Sequence, residues 1–318
     1  MLCELSKRFP KHAAKFLERD KCLTRNFREE SVTDQLMAAL VPFVAEGITV
    51  DYPDEVKTGG DMEWIFAAPQ EVGGCKYFRL IIQAKRAQYA KRVTPAKSYY
   101  YYQHLDHGTP PGTQAQTLMS HSTSTSGATA TFPIYAFYHP SSALKAAEAG
   151  LPAIEGVNIV FGDLVHAVVK TGCKIKDKKV ERWRPHFMTL HDFLCWPTIK
   201  RRDRAPFRRT ASFVVRDEFE TRTLLGFRSF HPDLVAAAVN ERLSGGQAKT
   251  TDGLRPTASK DIPAHIRRAI DGELTAQDRR LMPRPRVVFR TQITSEDPEF
   301  DEARDLIMQR WAPKAQGS

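Results

Sequence analysis

The chemistry available to this sequence is concentrated in one short stretch. Between Thr58 and Arg86 a segment reading TGGDMEW is followed, after a turn-rich interval, by YFRLIIQAKR. The first holds Asp61 and Glu63, and the second holds Gln83 and Lys85. Alternate residues of a strand share a face, so Asp61 falls with Glu63 and Gln83 with Lys85. Folded as a hairpin, the two segments bring an acid, an amide and an amine to one point. That combination suits a metal-assisted phosphodiester site.

The elements that would position these side chains are legible on both sides of them. Asn26 to Gly47 reads as a helix, with Val32, Leu36, Leu40 and Phe43 as its apolar stripe. Asn26 and Glu29 match a capping box, and Gly47 fits the stop. Capping occupies Glu29 and leaves Glu30 on a mixed face with Thr33, Asp34 and Met37. Ile48 to Tyr52 reads as a first strand. The run from Phe78 to Ile82 is nearly all apolar, the mark of a central strand covered on both faces. An amide and a lysine at the end of such a strand need a polar partner or a purpose. Further on, GTQAQTLM reads as a helix, Phe132 to Tyr138 as a strand, residues 141–150 as a short helix and Val157 to Phe161 as another strand. The expected fold class is α/β, a mixed sheet flanked by helices.

A helix glutamate (Glu30), a strand aspartate (Asp61) and Gln83-Ala84-Lys85 at the end of the next strand occur here in that order. The constellation resembles the PD-(D/E)XK nuclease superfamily, which has the restriction-endonuclease-like fold. The last acid of that pattern is Gln83 here, as in branches similar to Mrr-type restriction enzymes and some phage-defence nucleases. The resemblance covers residues 26–165. It implies a Mg²⁺- or Mn²⁺-dependent endonuclease hydrolysing DNA, of the kind used against foreign DNA. It also implies Asp61, Gln83 and the Ala84 carbonyl as metal ligands, with Glu30 holding a second ion or a water. Lys85 would position and help deprotonate the attacking water, or offset charge growing on phosphorus. Replacing an acid by Gln83 removes one negative charge, so metal affinity falls unless Glu63 or Glu30 compensates. Glu63 is either a reserve ligand or a neighbour of Lys85. Glu29 is an accessory candidate, and Gln114 and Gln116 either contact a nucleic-acid backbone or decorate a helix start.

The remainder of the chain is basic. With 47 Lys and Arg against 37 Asp and Glu, the formal charge is +10, which favours polyanionic partners. Lys200, Arg201, Arg202, Arg208 and Arg209, with Phe207 among them, are the candidate phosphate contacts. The expected organisation is a basic N-terminal segment (1–25), a nuclease-like core (26–168) and a basic α+β C-terminal region (169–318). Residues 1–25 read as a solvated basic face rather than a docking helix. Residues 230–243, one or two helices within 262–282, a VVFRTQI strand and a closing amphipathic helix fill the last part. The GGQAKTTDGLRPTASKD stretch reads as a mobile loop. The four tyrosines from Tyr99 to Tyr102 pack on several sides or present rings to a ligand.

The five cysteines are widely spaced with no CxxC pair, which indicates neither a disulfide framework nor a zinc site, and suggests a reducing cytoplasm. His104 and His107 fit a surface or helix-end role better than a metal site. No signal-like or bilayer-length apolar run is present, so no membrane partner is expected. No GxSxG elbow or GK[ST] loop occurs, which sets aside α/β-hydrolase and P-loop chemistry. A catalytically inactive nuclease fold that binds nucleic acid or a partner protein, itself or another, is the alternative reading.

Overall fold

The strand that carries Gln83 and Lys85 is buried from Tyr77 to Arg86, and the sheet extends outward from it on both sides. In the computed structural model the described residues are 2–24, 27–52, 61–91, 98–121, 128–170, 172–195, 198–199, 227–228, 230–243, 255–281 and 284–311. The central sheet contains β1 (Ile48–Asp51), β2 (Met62–Ala68), β3 (Lys76–Arg86), β4 (Thr131–Tyr138), β5 (Val157–Phe161), β6 (Met188–Thr189) and β7 (Arg286–Arg290). Its order is β1-β7-β2-β3-β4-β5-β6. The β7–β2 and β3–β4 pairs are parallel, and the other neighbours are antiparallel. The protein is therefore mixed α/β.

Alternation along β3 sorts its side chains between two faces. Phe78, Leu80, Ile82 and Ala84 enter one core with Met62, Trp64, Phe66, Phe132 and Ile134. That face is covered by α1 (Leu2–Glu18), α2 (Glu29–Leu40), α5 (Leu190–Leu194), α6 (Pro232–Arg242) and α9 (Pro298–Trp311). The opposite face holds two separate apolar clusters. One lies under α3 (Thr113–Ser120) and α4 (Gly162–Val169), the other under α7 (Ala264–Asp271). Polar side chains of β2, β3 and β7 belong to neither. A further helix, α8 (Ala276–Leu281), precedes β7.

Several expectations are corrected. Residues 1–25 are not a solvated basic face: α1 buries Leu2, Phe9, Ala13 and Leu17 in the main core. A Cβ at Gly156 would lie 1.8 Å from the Pro10 carbonyl oxygen, so only glycine allows α1 to lie this close to the sheet. Cys3 at its start is disulfide-bonded to Cys195, which sequence spacing did not suggest; Cys22, Cys75 and Cys173 are free. Nor does residue 168 divide the chain into two units. Strand β7 inserts between β1 and β2, because Val287 and Phe289 complete the core that Trp64 and Phe66 begin.

Helix α2 is capped by the backbone of Arg28 with no side-chain hydrogen bond, so Glu29 is its first residue rather than the closing member of a capping box. Asn26 lies outside the described residues. Past Leu40 the chain tightens into a 3₁₀ segment that ends, as expected, at Gly47 in the left-handed conformation. Residues 141–150 form only a 3₁₀ turn, Ser141–Ala143, followed by a ribbon in which Lys145 bridges Ile154 and Glu148 bridges Leu151. The segment exposes nearly all its side chains, and so short a helix needs burial to survive. Of the supposed mobile loop, Arg255–Pro256 pairs with Ala128–Thr129 and Ser259 bridges Tyr77. Tyr99–Tyr101 pairs with Gln88–Ala90, whereas Tyr102 is buried with its hydroxyl 2.6 Å from His139 Nε2. Among the described residues no helix is long and apolar enough to cross a membrane.

Candidate functional site

Strands β2 and β3 form the expected hairpin, with Met62 opposite Ile82. One residue beyond the ladder, the Asp61 amide donates to the Ile82 carbonyl at 3.0 Å, which fixes the Asp61 side chain beside the end of β3. Its Oδ2 accepts from Gln83 Nε2 at 2.6 Å and from the Ala84 amide. Lys85 Nζ donates to Gln114 Oε1 at 2.7 Å, so α3 supplies the next member of the cluster. Gln116, one turn face away, instead accepts from His166 Nε2 at 2.7 Å. The structure thus brings Asp61, Gln83, Ala84, Lys85 and Gln114 together.

The α2 glutamates border this cluster. Glu30 is exposed and Glu29 half-buried. Both raise the proton affinity of Asp61 and of Lys85 through their charges, so neither is singled out. Behind them Thr33 is buried, with its Oγ1 3.1 Å from the Tyr138 hydroxyl.

Glu63 does not serve this site. It is fully buried between β7 and β3, with Arg286 Nε donating to Oε1 and Arg79 Nε 2.8 Å from Oε2. Burial pushes its carboxyl up, and the guanidiniums of Arg79, Arg286 and Arg284 reverse that and hold it below the usual range. The i, i+2 spacing correctly places Asp61 and Glu63 on one face. The arginine from β7 decides which of them is consumed as a structural partner.

The electrostatics of the remaining groups are unusual. Asp61 is half-buried as a residue, yet its carboxylate lies deep enough that burial pushes its pKa up to about 7, against the pull of Lys85 and the Ala84 amide. Burial lowers the Lys85 ammonium below the ordinary amine range, opposed by Asp61 and the α2 glutamates. The Gln83 amide oxygen is buried and has no hydrogen-bond partner among the described residues. The same holds for the hydroxyl of Tyr135, which sits opposite Gln83 in β4 and whose pKa rises through burial and the Asp61 charge. Sequence reasoning missed Tyr135, because a tyrosine in an apolar strand carries no signal of what lies above it.

As donors for a hard divalent ion, Asp61 offers a carboxylate, Gln83 an orphaned amide oxygen and Ala84 a backbone carbonyl. All are oxygens of the kind Mg²⁺ takes while retaining several waters. Among the described residues no group of three His, Cys, Asp or Glu side chains could hold a metal. A metal here would be held by the Asp61 carboxylate together with the neutral oxygens of Gln83 and Ala84. His104 and His107 form only an edge-on ring pair with centroids 5.9 Å apart. Lys200, Arg201, Arg202, Arg208 and Arg209 lie outside the described residues.

Fold and site define a mixed α/β protein with a buried Asp–Gln–Lys cluster at the end of its central hairpin. The chain belongs to DUF6615, a family of unknown function whose model matches residues 2–296. That span takes in α1 and β7 together, in keeping with the single sheet. No curated protein and no solved structure matches the chain.

Proposed function

We propose that the protein is a metal-dependent nuclease of the PD-(D/E)XK type, hydrolysing phosphodiester bonds of DNA at the Asp61–Lys85 cluster. The observation that carries this reading is the buried Gln83 amide oxygen, without a partner among the described residues, on a side chain whose Nε2 donates to the Asp61 carboxylate and that lies one alternate residue from Lys85. A buried acceptor left open costs free energy, and native proteins retain such groups mainly where a ligand completes them. The order of elements supports the same reading: helix α2, hairpin β2–β3, helix α3, then β4 parallel to β3.

In this reading Asp61, Gln83 and the Ala84 carbonyl hold Mg²⁺ or Mn²⁺. The ion supplies Lewis acidity toward phosphate and a lower pKa for water. The chain's own groups do the rest. Lys85, with its ammonium weakened by burial, can exchange a proton with the attacking water near neutral pH better than an ordinary lysine. Gln114 aims it by accepting one of its protons. Glu29 and Glu30 stand where either could orient water at the rim.

Purified protein with Mg²⁺ or Mn²⁺ is expected to cut plasmid DNA. Lys85→Ala and Asp61→Ala should each reduce the rate by about 10²–10⁴-fold. Cleavage that survives both substitutions removes the assignment. A second reading keeps the fold as a nucleic-acid-binding module, and one observation favours it: Asp61 Oδ2 already accepts two N–H donors and Lys85 is already engaged by Gln114. It predicts salt-dependent binding with no metal-dependent cutting.

A further inference from the structure

Between the two apolar clusters of the second sheet face lies a group of arginines that the nuclease reading does not use. Arg79 projects from β3, Arg286 from β7, and Arg284 stands two residues before Arg286. All are buried: Arg79 is 6% exposed, Arg284 5% and Arg286 1%. Their common counter-charge is Glu63, whose carboxylate is held by Arg286 and Arg79 and lies within reach of the Arg284 charge. Asp51 stands 3.6 Å from Arg286 Nη1, but it is shared with Arg279 at 3.0 Å. Among the described residues, then, three guanidiniums meet Glu63 and a shared Asp51, and the Asp61 charge also reaches Arg284.

The hydrogen bonding is incomplete. Arg284 Nε and Nη1 and Arg79 Nη2 are buried and have no acceptor among the described residues. Arg79 Nε meets Glu63 as an ion pair without the alignment of a hydrogen bond. A guanidinium does not shed its proton to relieve such burial, so these donors need an acceptor that carries negative charge. At the edge of the group stand His121, exposed, and His265, half-buried with a buried Nε2 that also has no partner. Burial and the Arg284 and Arg79 charges lower the His121 pKa, so it faces the arginines as a neutral ring.

We propose that Arg79 and Arg284, set over Glu63, form a binding site for one phosphate group. Planar guanidinium forks match a tetrahedral oxyanion through paired N–H···O bonds. A phosphate oxyanion can accept from several of the open donors at once, which a carboxylate already engaged by two arginines does not. The site lies on the same sheet face as the Asp61–Lys85 cluster. Glu63 is two residues along β2 from Asp61, a spacing of roughly 7 Å. The inference goes beyond the nuclease reading and holds whether or not Asp61 cuts.

The test is calorimetric titration of the full chain with inorganic phosphate at constant ionic strength, paired with thermal melts. Wild type is expected to bind phosphate and melt higher in its presence. Arg284→Met should weaken binding at least tenfold. Without phosphate the same variant should be no less stable than wild type, since it removes a buried charge that among the described residues makes no direct ion pair and whose Nε and Nη1 have no acceptor. A purely structural Arg284 gives the opposite pattern, a less stable variant whose phosphate response is unchanged, and that result overturns the proposal. So does a wild type that shows no phosphate-dependent heat. If Arg284→Met does not fold, Arg284→Lys keeps the charge but loses the fork and should still weaken binding. The titration is run without a divalent cation, so its outcome is read independently of the cleavage assay. A 5′-phosphorylated dinucleotide compared with the same dinucleotide lacking its end phosphate then identifies the source. Arg284-dependent binding of the first alone assigns a terminal monoester, and Arg284-dependent binding of both assigns a chain diester. Binding of either that ignores Arg284 overturns the site.

Discussion

The two ends of the β2–β3 hairpin treat a buried carboxylate in opposite ways. At the turn end Glu71 accepts from His231 Nε2 at 2.7 Å, from the Ser295 amide at 3.1 Å and from the Ser295 hydroxyl. Burial pushes its carboxyl up, but these bonds more than reverse that and hold it below the usual range. His231 in turn is kept neutral by burial, and its Nδ1 accepts from the Asp233 amide at 3.3 Å. Lys76 and Asp233 close the cluster at 2.7 Å. At the open end burial prevails: Asp61 rises to about 7, Lys85 falls, and the Gln83 oxygen and Tyr135 hydroxyl have no partner among the described residues. A satisfied network ties α6 and the β7–α9 connection to the hairpin. The other leaves buried polar atoms without partners among the described residues.

The contrast is sharpest in stability. Glu71→Ala leaves a buried imidazole N–H and the Ser295 donors without an acceptor, and should cost about 3 kcal/mol or more in urea unfolding. A loss below 1 kcal/mol would show that the turn end is not the structural one. Because the folded pKa of Glu71 is depressed, its contribution is present above the ordinary carboxylate range and fades as pH falls through the folded value.

Asp61→Asn should do the reverse. The folded pKa is raised from 3.8 to about 7. The wild type therefore carries a penalty that is absent below the first value, grows between the two and is complete above about 7. With no divalent cation added, the variant should be more stable by roughly 1–2 kcal/mol at pH 8, less than the full shift implies because the residue is partly in water. The gain should shrink toward pH 5. A variant destabilised equally at both values would place Asp61 with Glu71 as a structural acid. Smallest of all, Tyr135→Phe removes a buried hydroxyl that has no partner, so unfolding should change by about 1 kcal/mol or less, toward greater stability. A clear destabilisation would mean the hydroxyl has a structural role.

The readable parts of the sequence were those with local causes. The apolar run of β3 and the stripe of α2 appear where periodicity placed them, as do α3, β4 and β5. The convergence of Asp61 with Gln83 followed from the period of two and the closeness of two strands in sequence. Long-range contacts left no such trace. Glu63 and Asp61 are indistinguishable until Arg286, more than two hundred residues later, claims one of them. The cap of α2 was misread because an Asn-to-Glu spacing is common and only backbone geometry distinguishes Arg28 as the true cap. In the N-terminal segment the lysines of the exposed face drew attention from a buried stripe that includes Ser6 and Pro10 beside Leu2, Phe9, Ala13 and Leu17.

By itself, then, the sequence determined the α/β class, the central hairpin and the residue types that gather at its open end, because strand and helix periods act over a few neighbours. Only the tertiary structure decided that β7 enters the middle of the sheet, that Cys3 meets Cys195, and which buried polar atoms are left without partners. Those outcomes depend on which distant side chains occupy the same space, and no local pattern encodes that.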